Sequence, residues 1–274
     1  MFTPRELALE RGWPGRIEGD RVVQLAAQTL QAFFTGGGTA REHAEYALAD
    51  VDLRPPVLQP PSVRDFMSFE EQVRAARSDT PGDTRRETVP SDWDELPAFH
   101  FSNPAAIVGP EAVVPYPEGT SELDYGLEVA AVVGADGRIG GFTLLNDWTA
   151  RDLERRELRV GLGPAKGKDF ATSLGPVVVT PDEFDGSEAE LVARVNGEER
   201  SRGNLRDLRH SWARLLERAA LNTVLRPGDV IGSGTVGAGS ILEHGDGRWL
   251  QPGDVIELEA EGIGVLRNTI GPPR

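Results

Sequence analysis

Cysteine is absent from all 274 residues, which excludes disulfides and thiolate chemistry without fixing a compartment. A basic stretch is missing too. With 29 Lys and Arg against 44 Asp and Glu, the net charge of −15 argues against nucleic acid or an anionic membrane surface as partner. No apolar run approaches the roughly 20 residues that span a bilayer. The opening stretch MFTPRELALERGWPG lacks an apolar signal core, so a cytoplasmic protein is expected. No internal repeat covers the chain. Its length suffices for one large domain with a smaller N-terminal piece and a sizeable core. On so acidic a chain, a small anionic substrate needs local help from Lys, Arg or a metal ion.

The densest stretch is Gly141 to Pro176, GFTLLNDWTARDLERRELRVGLGPAKGKDFATSLGP. Gly141 to Leu145 reads as a short apolar strand, and Asn146-Asp147 stands where a helix N-cap belongs, before a helix from Trp148 to Leu158. Steps of four, three and four put Asp147, Arg151, Glu154 and Leu158 on one stripe. Gly161, Gly163 and Gly167 then free the backbone around Lys166 and Lys168, as a loop closing on a ligand requires.

The run NDWTARD followed by GPAKGKDFATSLGP resembles the fumarylacetoacetate hydrolase family, and the resemblance extends from about Val51 to the C-terminus. It implies a β-rich α+β fold, the family's mixed β-sandwich roll, and a homodimer. It also implies a carboxylate-bound Mg2+, Mn2+ or Ca2+ ion and chemistry on a small β-dicarbonyl or 2-oxo acid, hydrolysis of a carbon–carbon bond being the commonest outcome. Decarboxylation, isomerisation, cyclisation, metal-free chemistry or ligand binding without catalysis stand as alternatives.

Along the chain, Arg16 to Leu25 reads as a hairpin turning at Gly19-Asp20, followed by helices at Ala26 to Phe34 and Arg41 to Ala49. Pro55, Pro56, Pro60 and Pro61 force an extended path, and the border between a 1–60 piece and a 61–274 catalytic domain is set there. Arg64-Asp65-Phe66 opens an expected helix from Met67 to Arg77. Asp65 reads either as its N-cap or, by the resemblance, as a metal ligand. Where the family carries a catalytic histidine this chain has Gln72, whose amide cannot take a proton near neutral pH. Ser78 to Ser91, with Arg85 and Arg86, reads as a loop over a site or a solvated surface loop. His100, in an apolar run, is either a hydrogen-bonded core residue or a substitute proton carrier.

Leu123 to Val133 is the clearest strand, with Asp124, Gly126 and Glu128 alternating on one face. By the resemblance Glu128 and Asp147 join Asp65 as metal ligands, while Gly126 stands where a fourth carboxylate belongs; a buried salt bridge to Lys168 is the other reading of Glu128. Lys168 is expected to bind a substrate carboxylate or oxyanion, and Thr235 a substrate oxygen. Met67, Glu154 and Leu158 occupy substrate-facing positions, and Glu243 matches a glutamate that orients the missing histidine or acts as base itself.

Further strands are expected at Leu174 to Thr180 and Glu190 to Asn196, the latter turning at Asn196-Gly197, with a helix from Arg206 to Leu221. Two copies of PGDVI each feed a strand, and ELEAEGIGVLRNTI is an edge or closing strand. Gly232 to Gly237 spells GxGxxG, but no helix of useful length or βαβ pattern follows, which argues against dinucleotide binding.

Overall fold

The computed structural model describes residues 1–7, 9, 11–79 and 89–273, so most of the expected loop, with Arg85 and Arg86, lies outside the described residues. Two sheets form a sandwich. The larger has seven strands: β1 (Val63–Phe66), β2 (Phe99–Ser102), β3 (Ile107–Val108), β4 (Leu127–Val133), β5 (Ile139–Asp147), β6 (Thr172–Val179) and β7 (Val230–Gly232). Their spatial order is β2-β1-β7-β4-β5-β6-β3, with β1–β7 and β3–β6 parallel and the other pairs antiparallel. The smaller sheet orders Glu198–Asn204, Glu190–Val195, Val255–Ala260, Gly264–Pro273 and Val113–Tyr116. The single edge or closing strand expected over ELEAEGIGVLRNTI is instead two paired strands, Val255–Ala260 and Gly264–Pro273, both inside the sheet.

β4 shows why polarity alternation is weak here. Leu127, Val129, Ala131 and Val133 share the main core with Leu191, Ala193, Ile256 and Leu258 of the smaller sheet. Ala130, on the opposite face, packs with Val63, Leu145, Leu174 and Val230. With both faces covered, every residue of β4 is buried. The Asn196-Gly197 turn joins its two strands as expected, both residues having positive φ.

Several expected elements differ. The hairpin of Gly15–Glu18 and Arg21–Leu25 is present, but Glu42–Ala47 adds to it as a third strand where a helix was expected. Pairing overrides helix propensity: Arg21 and Arg16 reach Glu45 and Glu42 across the strands at 2.9 and 2.7 Å, and Tyr46 stacks on Trp13. The first helix starts only at Leu30, where the Thr29 hydroxyl accepts from the Ala32 N–H at 3.1 Å. Arg64-Asp65-Phe66 is strand β1, and helix α1 (Glu70–Asp79) begins later, so Asp65 caps no helix. Asp147 ends β5, and helix α2 (Arg151–Val160) starts with Ala150 as N-cap; Asp147 is thus a strand residue aimed sideways. Helix α3 (Trp212–Ala220) is shorter than expected because Ser211 caps it.

Beyond β7 the chain turns through Gly232 to Gly239 and reaches only a single turn of helix, α4 (Ile241–His244). A dinucleotide site needs a longer helix there. Among the described residues no helix is long and apolar enough to cross a membrane.

Candidate active site

Strand register alone collects the acidic residues. Asp65 of β1 pairs with His100 of β2 on one side and Gly232 of β7 on the other. Gly232 in turn pairs with Ala130 of β4, and Glu128 of β4 pairs with Leu145 of β5. Because side chains repeat every second residue, Asp65, His100, Glu128 and Asp147 share one face of the sheet with Gly232. Lower on that face lie Val63, Val230, Ala130 and Leu145. The site is the polar end of an otherwise apolar surface.

Two glycines make room for it. A Cβ on Gly232 would come closer than 3.0 Å to the Asp65 carboxylate and within 3.2 Å of Glu128 Oε2. Gly234, at φ +83°, lies against the Phe66 carbonyl, and a Cβ there would meet Gln72 Oε1 at 2.7 Å. The Gly-Ser-Gly turn thus serves carboxylates and an amide rather than phosphates. Sequence reading set aside a dinucleotide role for this turn but missed that glycine itself is required at 232.

The cluster is rich in negative charge. Lys168, 9 % exposed, donates to Asp147 and, at 2.7 Å, to Thr149 Oγ1; Glu154 lies 3.9 Å from its ammonium. Burial opposes charging Lys168, but Asp147 and Glu154 raise its pKa. Burial likewise opposes ionising Asp147, yet Lys168 holds that carboxyl below its ordinary value. Burial and the Asp147 charge push Asp65 up to about 6, and burial with the charges of Asp65 and Asp147 pushes Glu128 well up. One lysine does not neutralise three buried carboxylates.

Three buried oxygens, Asp65 Oδ1, Glu128 Oε2 and Asp147 Oδ1, face no fixed donor, and the Asp65 and Glu128 carboxyls bond to each other by sharing a proton. Such an arrangement is costly to bury, and all three are hard donors of the kind a divalent cation takes once that proton leaves. Asp65, His100 and Asp147 each offer a ligand atom within 4.8 Å of the others. The residues present fit a divalent ion. Glu128 is not bridged to Lys168; its Oε1 instead accepts from Thr235 Oγ1 at 3.0 Å.

The remaining expected residues divide. Gln72 reaches the site, its Oε1 buried and unpaired. Glu154 stands at its rim, where burial is offset by Lys168 and Arg151, and its carboxyl lies below its ordinary value. Met67 follows β1 and is half-buried, with its N–H bonded to the Ala98 carbonyl at 3.0 Å. Leu158 is exposed on α2, and Lys166 is an exposed partner of Asp169. Gly126 leaves no gap: a Cβ there would meet Thr235 Oγ1 at 3.0 Å and Glu128 Oε1 at 3.2 Å.

Arg151 and Asp124 form a support whose full extent sequence reading did not reveal. Asp124, fully buried, accepts from Arg151 Nε at 2.9 Å and from the Ile241 and Leu242 N–H groups at 2.8 and 3.2 Å. One carboxylate therefore ties the start of α2 to the start of α4, although Asp124 and Ile241 lie more than a hundred positions apart.

Glu243 bonds to the Ser240 hydroxyl at 2.9 Å and the Ala238 N–H at 3.2 Å, while Ser240 Oγ accepts from the Glu243 N–H. Ser240 thus caps α4, and Glu243 reaches back to the Ser240 hydroxyl and the Ala238 N–H rather than to the N-cap N–H of a full capping box; the Ser-Ile-Leu-Glu spacing is legible in the sequence. Burial pushes the Glu243 carboxyl up to about 7. The folded protein holds that proton more tightly than the unfolded chain, so this contribution to stability is full below the ordinary glutamate value and is lost as pH rises through 7. With partial solvent contact discounted, Glu243→Gln is expected to remove about 2 kcal/mol of the decline between pH 5 and 8. Denaturant unfolding across that range reads it, and parallel curves for the two proteins would refute the assignment.

A β-sandwich whose larger sheet carries a buried carboxylate and lysine cluster at its edge defines the fold of the fumarylacetoacetate hydrolases. The sequence profile of the fumarylacetoacetate (FAA) hydrolase C-terminal family matches residues 62–271, and the chain belongs to that family. It is 30 % identical over 269 residues to the oxaloacetate tautomerase YisK of Bacillus subtilis, covering 93 % of this chain and 84 % of that protein. The crystal structure of fumarylacetoacetate hydrolase from Exiguobacterium antarcticum superposes with a TM-score of 0.78 at 27 % identity, covering 96 % of both chains. A 5-carboxymethyl-2-hydroxymuconate delta-isomerase from Mycobacterium smegmatis gives 0.72 at 26 % identity, covering 95 % of this chain and 94 % of that one. Family relatives thus include a hydrolase, an isomerase and a tautomerase.

Proposed function

We propose that the chain is a divalent-metal-dependent enzyme of a small 2-oxo or β-dicarbonyl acid, and that it interconverts keto and enol forms rather than cleaving a carbon–carbon bond. The observation that carries the reading is the set of buried carboxylate oxygens beside Lys168 that face no donor outside their own cluster. Asp65, Glu128 and Asp147 would hold the ion. When bound, a divalent cation supplies Lewis acidity to adjacent substrate oxygens.

The chain's own groups do the rest. The Lys168 ammonium, fixed by Asp147 and Thr149, attracts a substrate carboxylate and stabilises negative charge on an enolate oxygen. Thr235 Oγ1 can turn its hydrogen from Glu128 to a substrate oxygen. Gln72 favours tautomerisation over hydrolysis. Hydrolysis requires a base to take a proton from water, which an amide cannot do near neutral pH. Tautomerisation also needs a carrier that takes the proton from the substrate's carbon and returns one to its oxygen. That carrier, a carboxylate of the cluster not engaged with the ion, acts on the substrate and not on water, and Gln72 Oε1 is free to accept a hydrogen bond from an enol hydroxyl. That the Bacillus subtilis relative is an oxaloacetate tautomerase supports the same reading.

The test follows the ultraviolet enol absorbance of oxaloacetate and a series of acylpyruvates, with magnesium or manganese and again after chelation. Metal-dependent loss of the enol without cleaved products is expected. Stoichiometric cleavage would make the chain a hydrolase despite Gln72, and no turnover with any ion would leave ligand binding.

A further inference from the structure

We infer that His100 is a metal ligand, the nitrogen donor that completes the set left short at Gly126, and that it tunes the site toward first-row transition ions rather than magnesium. The inference rests on the metal-dependent reading above and narrows its core to the carboxylates of Asp65 and Asp147 and one imidazole. Sequence alone had left His100 as a core residue or a proton carrier.

Position comes first. His100 is the direct cross-strand neighbour of Asp65, so the two side chains rise from the same face side by side. A ring nitrogen of His100 and one oxygen each of Asp65 and Asp147 lie within 4.8 Å of one another, a span that one ion can bridge. Asp65 and Asp147 are 2 % and 3 % exposed, and each has an Oδ1 that faces no fixed donor. Two buried, unsatisfied donors therefore share a small space with an imidazole. Ser102 Oγ, two residues along the same strand face, lies 3.4 Å from His100 Nε2 and can steady the ring.

Space and charge exclude the obvious alternative. A fourth carboxylate does not reach the site from position 126, because the volume beside its Cα is filled by Thr235 and Glu128. The carboxylates of Asp65 and Asp147 with the Lys168 ammonium sum to a charge of −1, so a divalent ion is held there without a further carboxylate. A neutral imidazole adds a donor without adding charge. Carboxylates and water suit magnesium and calcium, whereas imidazole suits zinc, iron and cobalt, so exchanging a carboxylate for His100 changes which ion is preferred. A nitrogen engaged with an ion is also unavailable as a base, which agrees with a reaction that needs no activated water.

Chelator-stripped protein, wild type and His100→Gln, is titrated calorimetrically with Mn2+, Co2+ and Mg2+. Wild type is expected to bind Co2+ and Mn2+ roughly tenfold or more tightly than Mg2+, and the variant to lose about that factor for the first two while Mg2+ changes little. Pulsed electron paramagnetic resonance of the Mn2+-loaded wild type adds a readout that needs no variant: coupling to a directly bound 14N nucleus. Absence of that coupling, with equal affinities in the two proteins, overturns the inference. So does a variant whose metal affinity is intact and whose pH profile of turnover alone has moved, which makes His100 the proton carrier. A wild type that takes up none of the three ions overturns the metal-dependent reading itself, a different failure from loss of the nitrogen signal.

Discussion

Lys168→Met is expected to lower kcat/KM by about 10² to 10³ while leaving divalent-ion binding intact or tighter. The two effects separate because Lys168 is a cation beside the proposed ion site. Removing it deletes the positive group that faces substrate, yet also deletes a repulsion toward the ion. Stability should move as well. Lys168 is the cation paired with buried Asp147, and breaking a buried pair by removing one partner costs about 3–5 kcal/mol. That cost should appear in full with a chelator and shrink when saturating Mn2+ supplies a replacement charge. Kinetics with the active substrate, calorimetric Mn2+ titration and denaturant unfolding with and without chelator give the three readings. A variant with undiminished turnover would remove Lys168 from the substrate site.

Gly232→Ala, the addition of one methyl group, is expected to weaken divalent-ion binding by about 100-fold or more. The new Cβ would fall closer than 3.0 Å to Asp65 Oδ1 and within 3.2 Å of Glu128 Oε2, so the Asp65 carboxylate must swing away from Glu128 and Asp147. Backbone conformation does not forbid the change, since Gly232 is a strand residue without positive φ. Overpacking of this kind costs about 1–3 kcal/mol, leaving a folded protein to measure. Gly234→Ala makes the contrast. It adds a positive φ and a collision with the Phe66 backbone carbonyl, which cannot rotate away, so its damage should be mainly to folding. Ion titration and unfolding of both variants distinguish the two. Wild-type ion affinity in Gly232→Ala would mean that Asp65 is not a ligand.

Much of this site was legible before any fold was known. Asp65, Glu128, Asp147, Lys168, Thr235 and Gln72 were singled out through the family resemblance, and all lie around the sheet end where Gly232 pairs with Asp65. What misled was local context. Arg64-Asp65-Phe66 precedes a helical pattern, and Asp147 precedes another, so both aspartates looked like caps. Both instead belong to strands, Asp65 within β1 and Asp147 at the end of β5, because their neighbours are satisfied by ladder pairing with β7, β2, β4 and β6. REHAEYALA failed for the same reason, its helix propensity losing to a strand partner 20 or so residues away.

The sequence by itself determined which chemical groups exist: no thiol, a surplus of acid, an amide at position 72 and a glycine at position 126. It also settled the family, through a contiguous run whose residue types and order are unmistakable. Only the tertiary structure decided who meets whom. That Asp65 faces His100, that Gly232 must lack a side chain, and that Thr235 closes the space at Gly126 are facts of register between strands far apart in the chain. Local periodicity reports which face a side chain takes within its own strand. The register that sets two strands side by side is fixed by burial and ladder hydrogen bonds over the whole sheet, and no short stretch of sequence carries that information.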